Sequence, residues 1–291
     1  MIVDAHQHFW NPAREALPWI TAEHALIDRA FAPDDLQPLL ERDGIDVTVL
    51  VQSVCSDADT DAMFEHARAY PWIGAVTAWV DLASPRLAVA RLDELASQPA
   101  LRGVRHLIHD EDDPHWILRP RVLESLALLE ERGLVLELPC VFPRHLADVP
   151  ELARRFPGLA IVIDHLGKPP IGTDAMPAWE AELRATAEFG NVVAKISGLN
   201  TALDRRDWDA ADLRAPVEVA FDCFGPDRLL CGSDWPVALL NGDYARVWDE
   251  TVQIVEEVAR DDASRLLGGN AARVYALSMP ISRETGDTGR H

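Results

Sequence analysis

The chain has 291 residues, 48% of them hydrophobic and 26% charged, enough for a large buried core and within the range of a single α/β barrel. Its formal net charge of −21 excludes nucleic acid and anionic membranes as partners, because phosphate binding needs clustered lysine and arginine. No run approaches the roughly eighteen consecutive apolar residues of a membrane span. No basic region followed by an apolar stretch precedes the first strand pattern, so a cytoplasmic location is expected. The four cysteines, Cys55, Cys140, Cys223 and Cys231, form no C-x-x-C pair and are expected to be reduced. Lysine stands at only two positions, Lys168 and Lys195, among 27 basic residues. That bias reflects arginine-favouring codon usage or, alternatively, a high-salt habitat; either way it spared these two positions.

The first strand pattern is Ile2-Val3-Asp4-Ala5-His6-Gln7-His8. As a regular strand it places His6 and His8 on one face, with Asp4 behind them. Apolar, β-branched runs follow at 47–53, 73–80, 101–106, 135–139, 160–165, 191–197 and 229–234. Helical patterns lie between and after them at 34–42, 57–69, 85–97, 120–131, 144–155, 177–189, 213–223 and 243–260. Several open with Pro or Asp, as first turns prefer. Near-continuous apolar strands alternating with amphipathic helices indicate a parallel sheet covered on both faces. Eight such units indicate a closed (β/α)8 TIM barrel. An open doubly wound sheet is the alternative, but no G-x-G-x-x-G follows the first strand. The barrel domain is expected to span residues 1–278. The polar, aperiodic tail 279–291 is expected to be disordered.

In such a barrel the chemistry sits at the carboxyl ends of the strands. Those ends carry His6, His8, Gln52, Trp79, Arg105, His106, Glu137, His165, Lys195, Ser197 and Asp234. Polar residues closing apolar strands are costly to bury without partners, so their convergence points to a site. Asp234 suits a general base acting on water, or else caps the turn at Trp235-Pro236. His165 reads as a site residue or as a satisfied core histidine. Arg105 and His106 are adjacent, so only one faces the axis unless the strand end bends. Arg105 reads as a ligand of substrate oxygens or as a rim salt bridge to the acidic loop 110–113. Lys195 reads as a substrate contact or as a buried lysine paired with an acid. His109 and His115 are expected to face solvent, and most aromatics near the strand ends (Phe9, Trp10, Trp79, Trp116, Trp235) are expected to pack. No G-x-S-x-G elbow is present and no cysteine stands beside an evident base, so nucleophilic catalysis finds no support.

The motifs D-A-H-Q-H (4–8), I-D-H-L-G-K-P (163–169) and C-G-S-D-W-P (231–236) resemble the amidohydrolase superfamily, specifically amidohydrolase family 2. More narrowly they are similar to its sugar-acid lactonase branch, of the L-fuconolactonase and L-rhamnonolactonase kind. The stretches R-G-V-R-H (102–106), A-K-I-S-G-L (194–199) and G-N-A-A-R-V-Y (269–275) fit that branch too, and the resemblance spans about residues 1–277. It implies a distorted barrel with His6, His8 and His165 turned toward Asp234, positions that ligate one or two divalent metals in many members. A carbamate-bridged metal pair would need a lysine on the fifth strand. This chain has Val-Leu-Glu-Leu-Pro there, which excludes that arrangement and leaves Glu137 open as a bridge.

The resemblance implies hydrolysis of a neutral sugar-acid lactone such as L-fuconolactone. Asp234 would activate water while His6, His8 and His165 stabilise the oxyanion. Arg105, His106, Gln52, Lys195 and Trp79 would contact substrate, with Trp79 or Trp235 as an apolar wall and Ser197 and Asn200 as neutral donors and acceptors. No cofactor is required on this reading, and one divalent zinc at His6, His8, His165 and Asp234 is optional. The alternative is a zinc-dependent decarboxylase or another metal-dependent amidohydrolase of the same superfamily. Assembly as a homodimer stays open.

Overall fold

The computed structural model describes residues 1–278; the tail expected to be disordered lies outside them. Eight parallel strands pair in chain order: β1 (Val3–Gln7), β2 (Val47–Val51), β3 (Ile73–Ala78), β4 (Leu101–Arg105), β5 (Val135–Leu138), β6 (Ile161–Ile163), β7 (Val192–Ile196) and β8 (Leu229–Cys231). The sheet closes between β8 and β1 through two backbone bonds of 2.8 Å, His8 N to the Trp235 carbonyl and Asp234 N to the His6 carbonyl. The seam of this (β/α)8 TIM barrel is therefore made by the residues expected to carry the chemistry.

Eight helices alternate with the strands: α1 (Pro33–Asp43), α2 (Asp57–Ala69), α3 (Pro85–Leu95), α4 (Pro120–Glu131), α5 (Val149–Arg155), α6 (Met176–Ala187), α7 (Ala210–Phe224) and α8 (Tyr244–Ala259). A short α9 (Asn270–Val274) follows. Proline opens α1, α3 and α4, where its missing N–H costs nothing. Side chains of Ser56, Asp209 and Asp243 accept first-turn backbone N–H groups of α2, α7 and α8. The helix expected at 144–155 is shorter, because Pro150 fits only in a first turn and residues 146–148 form a 3-10 turn. Inside the barrel small aliphatics pack together (Val3, Ala5, Val49, Ala75, Val135, Val162, Val193), and Tyr275 plugs them from below. Larger side chains such as Leu36, Leu50, Leu126 and Ile163 fill the layer between strands and helices. The four cysteines are unpaired, and among the described residues no helix is long and apolar enough to cross a membrane.

Asp59, in the first turn of α2, accepts hydrogen bonds from Ser53 N (2.9 Å) and Ser53 Oγ (2.8 Å). Burial, opposed by those bonds, still pushes its carboxyl up to about 6. The folded state then holds a proton that the unfolded chain releases near pH 4, so the contribution of Asp59 to stability is full below that pH and is lost as pH rises through 6. The loss is on the order of 3 kcal/mol for a shift of about two pH units. Asp59→Asn should raise the melting temperature at pH 7.5 and flatten its slope between pH 4.5 and 7. Calorimetry across that range tests this; an unchanged slope refutes it.

Candidate active site

A register shift between Asp4 and Gln7 interrupts the β1–β2 ladder. Such an irregularity re-aims the side chains beyond it. Asp4 consequently does not stand behind the histidines: its carboxylate accepts from Ser233 N (2.8 Å) and the Tyr244 hydroxyl (3.1 Å) of α8. Past the shift, His6 and His8 converge, their Nε2 atoms 3.1 Å apart. Asp234 Oδ1 lies 3.6 Å from His6 Nε2, 3.4 Å from His8 Nε2 and 3.9 Å from His165 Nε2. The structure thus brings the four expected residues together, all buried.

His165 and Asp234 reach this point through unusual backbone. After β6 the chain makes a left-handed turn at His165, Leu166, Gly167 and Lys168, with φ of 53°, 51°, 71° and 54°. Each non-glycine residue there costs about 1–2 kcal/mol. The turn is held by Trp179 Nε1 donating to the Leu166 carbonyl (2.8 Å) and by Phe142 N donating to that of Gly167 (3.0 Å). Asp234 is also left-handed, at φ 58°. Strain of this kind gathers at functional sites.

Each imidazole is oriented from behind. His8 Nδ1 donates to the Val51 carbonyl at 2.7 Å, and His165 Nδ1 bonds Ser197 Oγ at 2.9 Å. Burial holds His6 well below its usual range, helped by the Lys195 charge, and brings His165 down to about 4, so both are neutral at pH 7. Burial alone would raise the Asp234 carboxyl, but His165, the His8 bond and His6 outweigh it and hold it below the usual carboxylate range. The resting site is an aspartate anion facing His6 and His165 as neutral imidazoles.

Beneath them lies a buried charged layer. Arg105 NH1 donates to Asp164 Oδ2 at 2.8 Å, and Arg105 NH2 donates to the Gln52 carbonyl at 3.1 Å. Lys195 Nζ lies 2.5 Å from Glu137 Oε2 and 3.1 Å from His6 Nδ1. Glu137 Oε1 also accepts from Thr77 Oγ1 (2.6 Å) and the Tyr275 hydroxyl (2.7 Å).

Above them opens a cavity of about 450 Å³ lined by His8, Arg105, His165 and Asp234. Of the five expected substrate contacts, Arg105 alone lines it. Arg105 faces the axis and its neighbour His106 turns away, stacked on Trp116 at 4.0 Å and accepting from Trp79 Nε1 at 3.1 Å. Trp79 therefore packs. Gln52 is fully buried beneath Arg105, and Lys195 is enclosed by acids. Trp235 packs among Phe9 and Phe31, and Asn200 bonds the Ala238 carbonyl.

His109, expected in solvent, lines the cavity, whereas His115 is exposed and pairs with Asp148. Trp10, Trp19, His24, Lys168, Val237 and Leu240 complete the wall. Trp19 and Lys168 carried one signal each: an aromatic in a long loop, and a lysine in a chain that otherwise uses arginine.

The amidohydrolase family profile matches residues 3–277. The chain belongs to the amidohydrolase family. This amidohydrolase is 38% identical to the L-fucono-1,5-lactonase of Burkholderia ambifaria, over 96% of both chains. It is 37% identical to the L-fucono-1,5-lactonase of Burkholderia multivorans, over 96% of this chain and 97% of that one. A solved amidohydrolase from Burkholderia multivorans with bound zinc superposes with a TM-score of 0.87 at 36% identity, covering 96% of this chain and all of the other.

The donor set of this amidohydrolase fits such a metal. The Nε2 atoms of His6, His8 and His165 lie 3.4–3.9 Å from one carboxylate oxygen, and His6, His8 and Asp234 form the mutually close set, with the two Nε2 atoms 3.1 Å apart. Two ligands of a tetrahedral zinc stand about 3.3 Å apart. Behind His8 a main-chain carbonyl anchors Nδ1, the usual support for a metal-binding imidazole. Glu137, held by Thr77, Lys195 and Tyr275, is not among these donors, so no bridging role falls to it.

Proposed function

We propose that this amidohydrolase hydrolyses a neutral five- or six-membered sugar-acid lactone, L-fuconolactone or a stereochemical neighbour. The observation that carries the reading is the pairing of one carboxylate base and three imidazoles with a cavity that is largely apolar and poor in lysine and arginine. Its kinship with two L-fucono-1,5-lactonases supports the same substrate class. Trp10, Trp19, Leu107, Val237 and Leu240 supply flat and aliphatic surface for a sugar face or a 6-methyl group, while Ser53, His24 and Thr201 suit hydroxyls. Among the described residues, Arg105 and Lys168 are the only lysine or arginine residues in its wall, and Arg105 is already paired with Asp164. A dicarboxylate would need several free guanidinium groups.

Water held at Asp234 loses a proton to the carboxylate and adds to the lactone carbonyl. His8 and His165 are bare at Nε2 when neutral, since their Nδ1 atoms face the Val51 and Ser197 carbonyls. His165 accepts from the water and fixes its approach. The sequence reading assigned all three imidazoles to the oxyanion. The Nδ1 bonds favour giving that task to Arg105, which keeps N–H groups beyond those spent on Gln52 and Asp164. Collapse of the tetrahedral intermediate breaks the ring C–O bond, and the proton on Asp234 passes to the departing oxygen. His6, His8 and Asp234 would hold a zinc ion, with His165 nearby, and when bound it would supply Lewis acidity toward the carbonyl.

Rates on fucono-, galactono-, rhamnono- and arabinonolactones, compared with a pyrone dicarboxylate and simple amides, test the substrate class. The expected order puts a six-carbon aldonolactone at least tenfold ahead in kcat/KM. A tenfold preference for the pyrone or an amide overturns the reading. Because base and donors are side chains, protein stripped to below one tenth of a metal per chain should keep most of its activity. Inactivation restored by one zinc per chain contradicts that expectation.

A further inference from the structure

Two imidazole nitrogens 3.1 Å apart, as in His6 and His8, need a proton or a cation between them. His8 contributes a lone pair there, because its Nδ1 proton is spent on the Val51 carbonyl. The question is which nitrogen of His6 carries its proton. Lys195 Nζ approaches His6 Nδ1 at 3.1 Å, and a lysine ammonium can only donate. Arg105 NH1, also a donor, approaches Nε2 at a longer 3.4 Å; the shorter contact from Lys195 makes Nδ1 the bare nitrogen, with the proton on Nε2 aimed at His8. Lys195 is wholly buried and gripped by Glu137, which Thr77 and Tyr275 hold in turn. The opposite tautomer would need an acceptor for Nδ1–H. Asp164 Oδ1 stands ready 3.3 Å away and makes no hydrogen bond of its own.

We propose that Lys195 is a positioning residue that keeps His6 as the Nε2–H tautomer, joining it to His8 by a hydrogen bond, and thereby opposes metal binding at this site. To become a ligand, His6 must carry its proton on Nδ1, give it to Asp164 Oδ1 as a hydrogen bond, and lose the bond from Lys195. The charge on His6 is the same in both arrangements; only the position of its proton differs. Partners behind a ligating histidine typically change metal affinity by 10–100-fold, and here the partner acts against the metal.

The metal-free chain labelled with nitrogen-15 at histidine reads the tautomer directly through long-range proton–nitrogen correlations, with His6→Gln assigning the signal. The expected spectrum shows His6 protonated at Nε2 and bare at Nδ1. In Lys195→Met the proton should move to Nδ1, and zinc, measured by competition with a chromophoric chelator, should bind at least tenfold tighter. A wild-type His6 protonated at Nδ1 overturns the proposal, as does zinc affinity in the variant within threefold of wild type. Should Lys195→Met not fold, the wild-type spectrum decides alone. Neither readout involves turnover, so both stand apart from the lactone-hydrolase reading.

Discussion

Asp234→Asn is expected to lower kcat by about 10²–10⁴-fold, the usual worth of a general base, while leaving the fold intact. The variant is a clean one because asparagine tolerates the left-handed backbone that Asp234 adopts at φ 58°. The seam also survives: Asp234 N still reaches the His6 carbonyl, and Ala238 N the Asp234 carbonyl. Only the basic oxygen facing the three imidazoles is lost. In the wild type, neighbouring imidazoles hold this carboxyl below its usual range. The base form should then persist through pH 5–8, with activity falling only on acidification below the roughly pH 4 of an ordinary aspartate. His165, brought down to about 4 by burial, protonates in the same region, so the acid limb belongs to the pair. Near-normal turnover in Asp234→Asn would remove Asp234 from the role.

The second large effect comes from a residue with no side chain. Gly198 follows β7 at φ 60°, and a Cβ there would stand 2.5 Å from Asp234 Oδ2 and 2.9 Å from His165 Nδ1. Real Cβ atoms do not approach so closely, and neither neighbour is a flexible tip. Gly198→Ala must displace the base and an imidazole together. Displacement of a reacting group by about 1 Å can cost 100-fold in rate, so kcat/KM should drop by about that factor. The left-handed backbone adds a stability cost of about 1–2 kcal/mol. Gly172→Ala separates the two effects: Gly172 has φ 77° with nothing within 4 Å of the added atom. It should lose stability on the same scale and keep full activity. Equal activity in both variants would contradict the tight packing of Gly198 against the site.

The architecture was legible because its signals are local. A buried parallel strand must be apolar on both faces, a helix start favours Pro, Ser or Asp, and eight repeats of that alternation leave one closed solution. The reactive ends were legible for a related reason. Polar residues that terminate apolar strands can be buried only with partners, and His6, His8, His165 and Asp234 were the ones with converging chemistry.

What the pattern could not carry was direction and neighbourhood. The regular alternation of β1 predicted Asp4 behind the histidines, but a register shift after Asp4 re-aimed the histidines and left Asp4 facing α8. Arg105 and His106 looked interchangeable until Trp79, Trp116 and Glu111 claimed His106. The left-handed turn from His165 to Lys168 has only one glycine to announce it. The wall of the cavity, with Trp19, His24 and His109, comes from loops whose lengths carry no period.

Sequence by itself therefore determined the barrel, the strand order and the four residues at its mouth, since burial and periodicity act over a few neighbours. Tertiary structure alone decided that Lys195 lies against His6 and Glu137 and outside the cavity wall. That outcome depends on Glu137 and Thr77 arriving from β5 and β3 and Tyr275 from the end of α9, with pairings 58, 60 and 138 residues apart in the chain. A buried ammonium goes where its counter-charges are, and only the closed barrel brings them together.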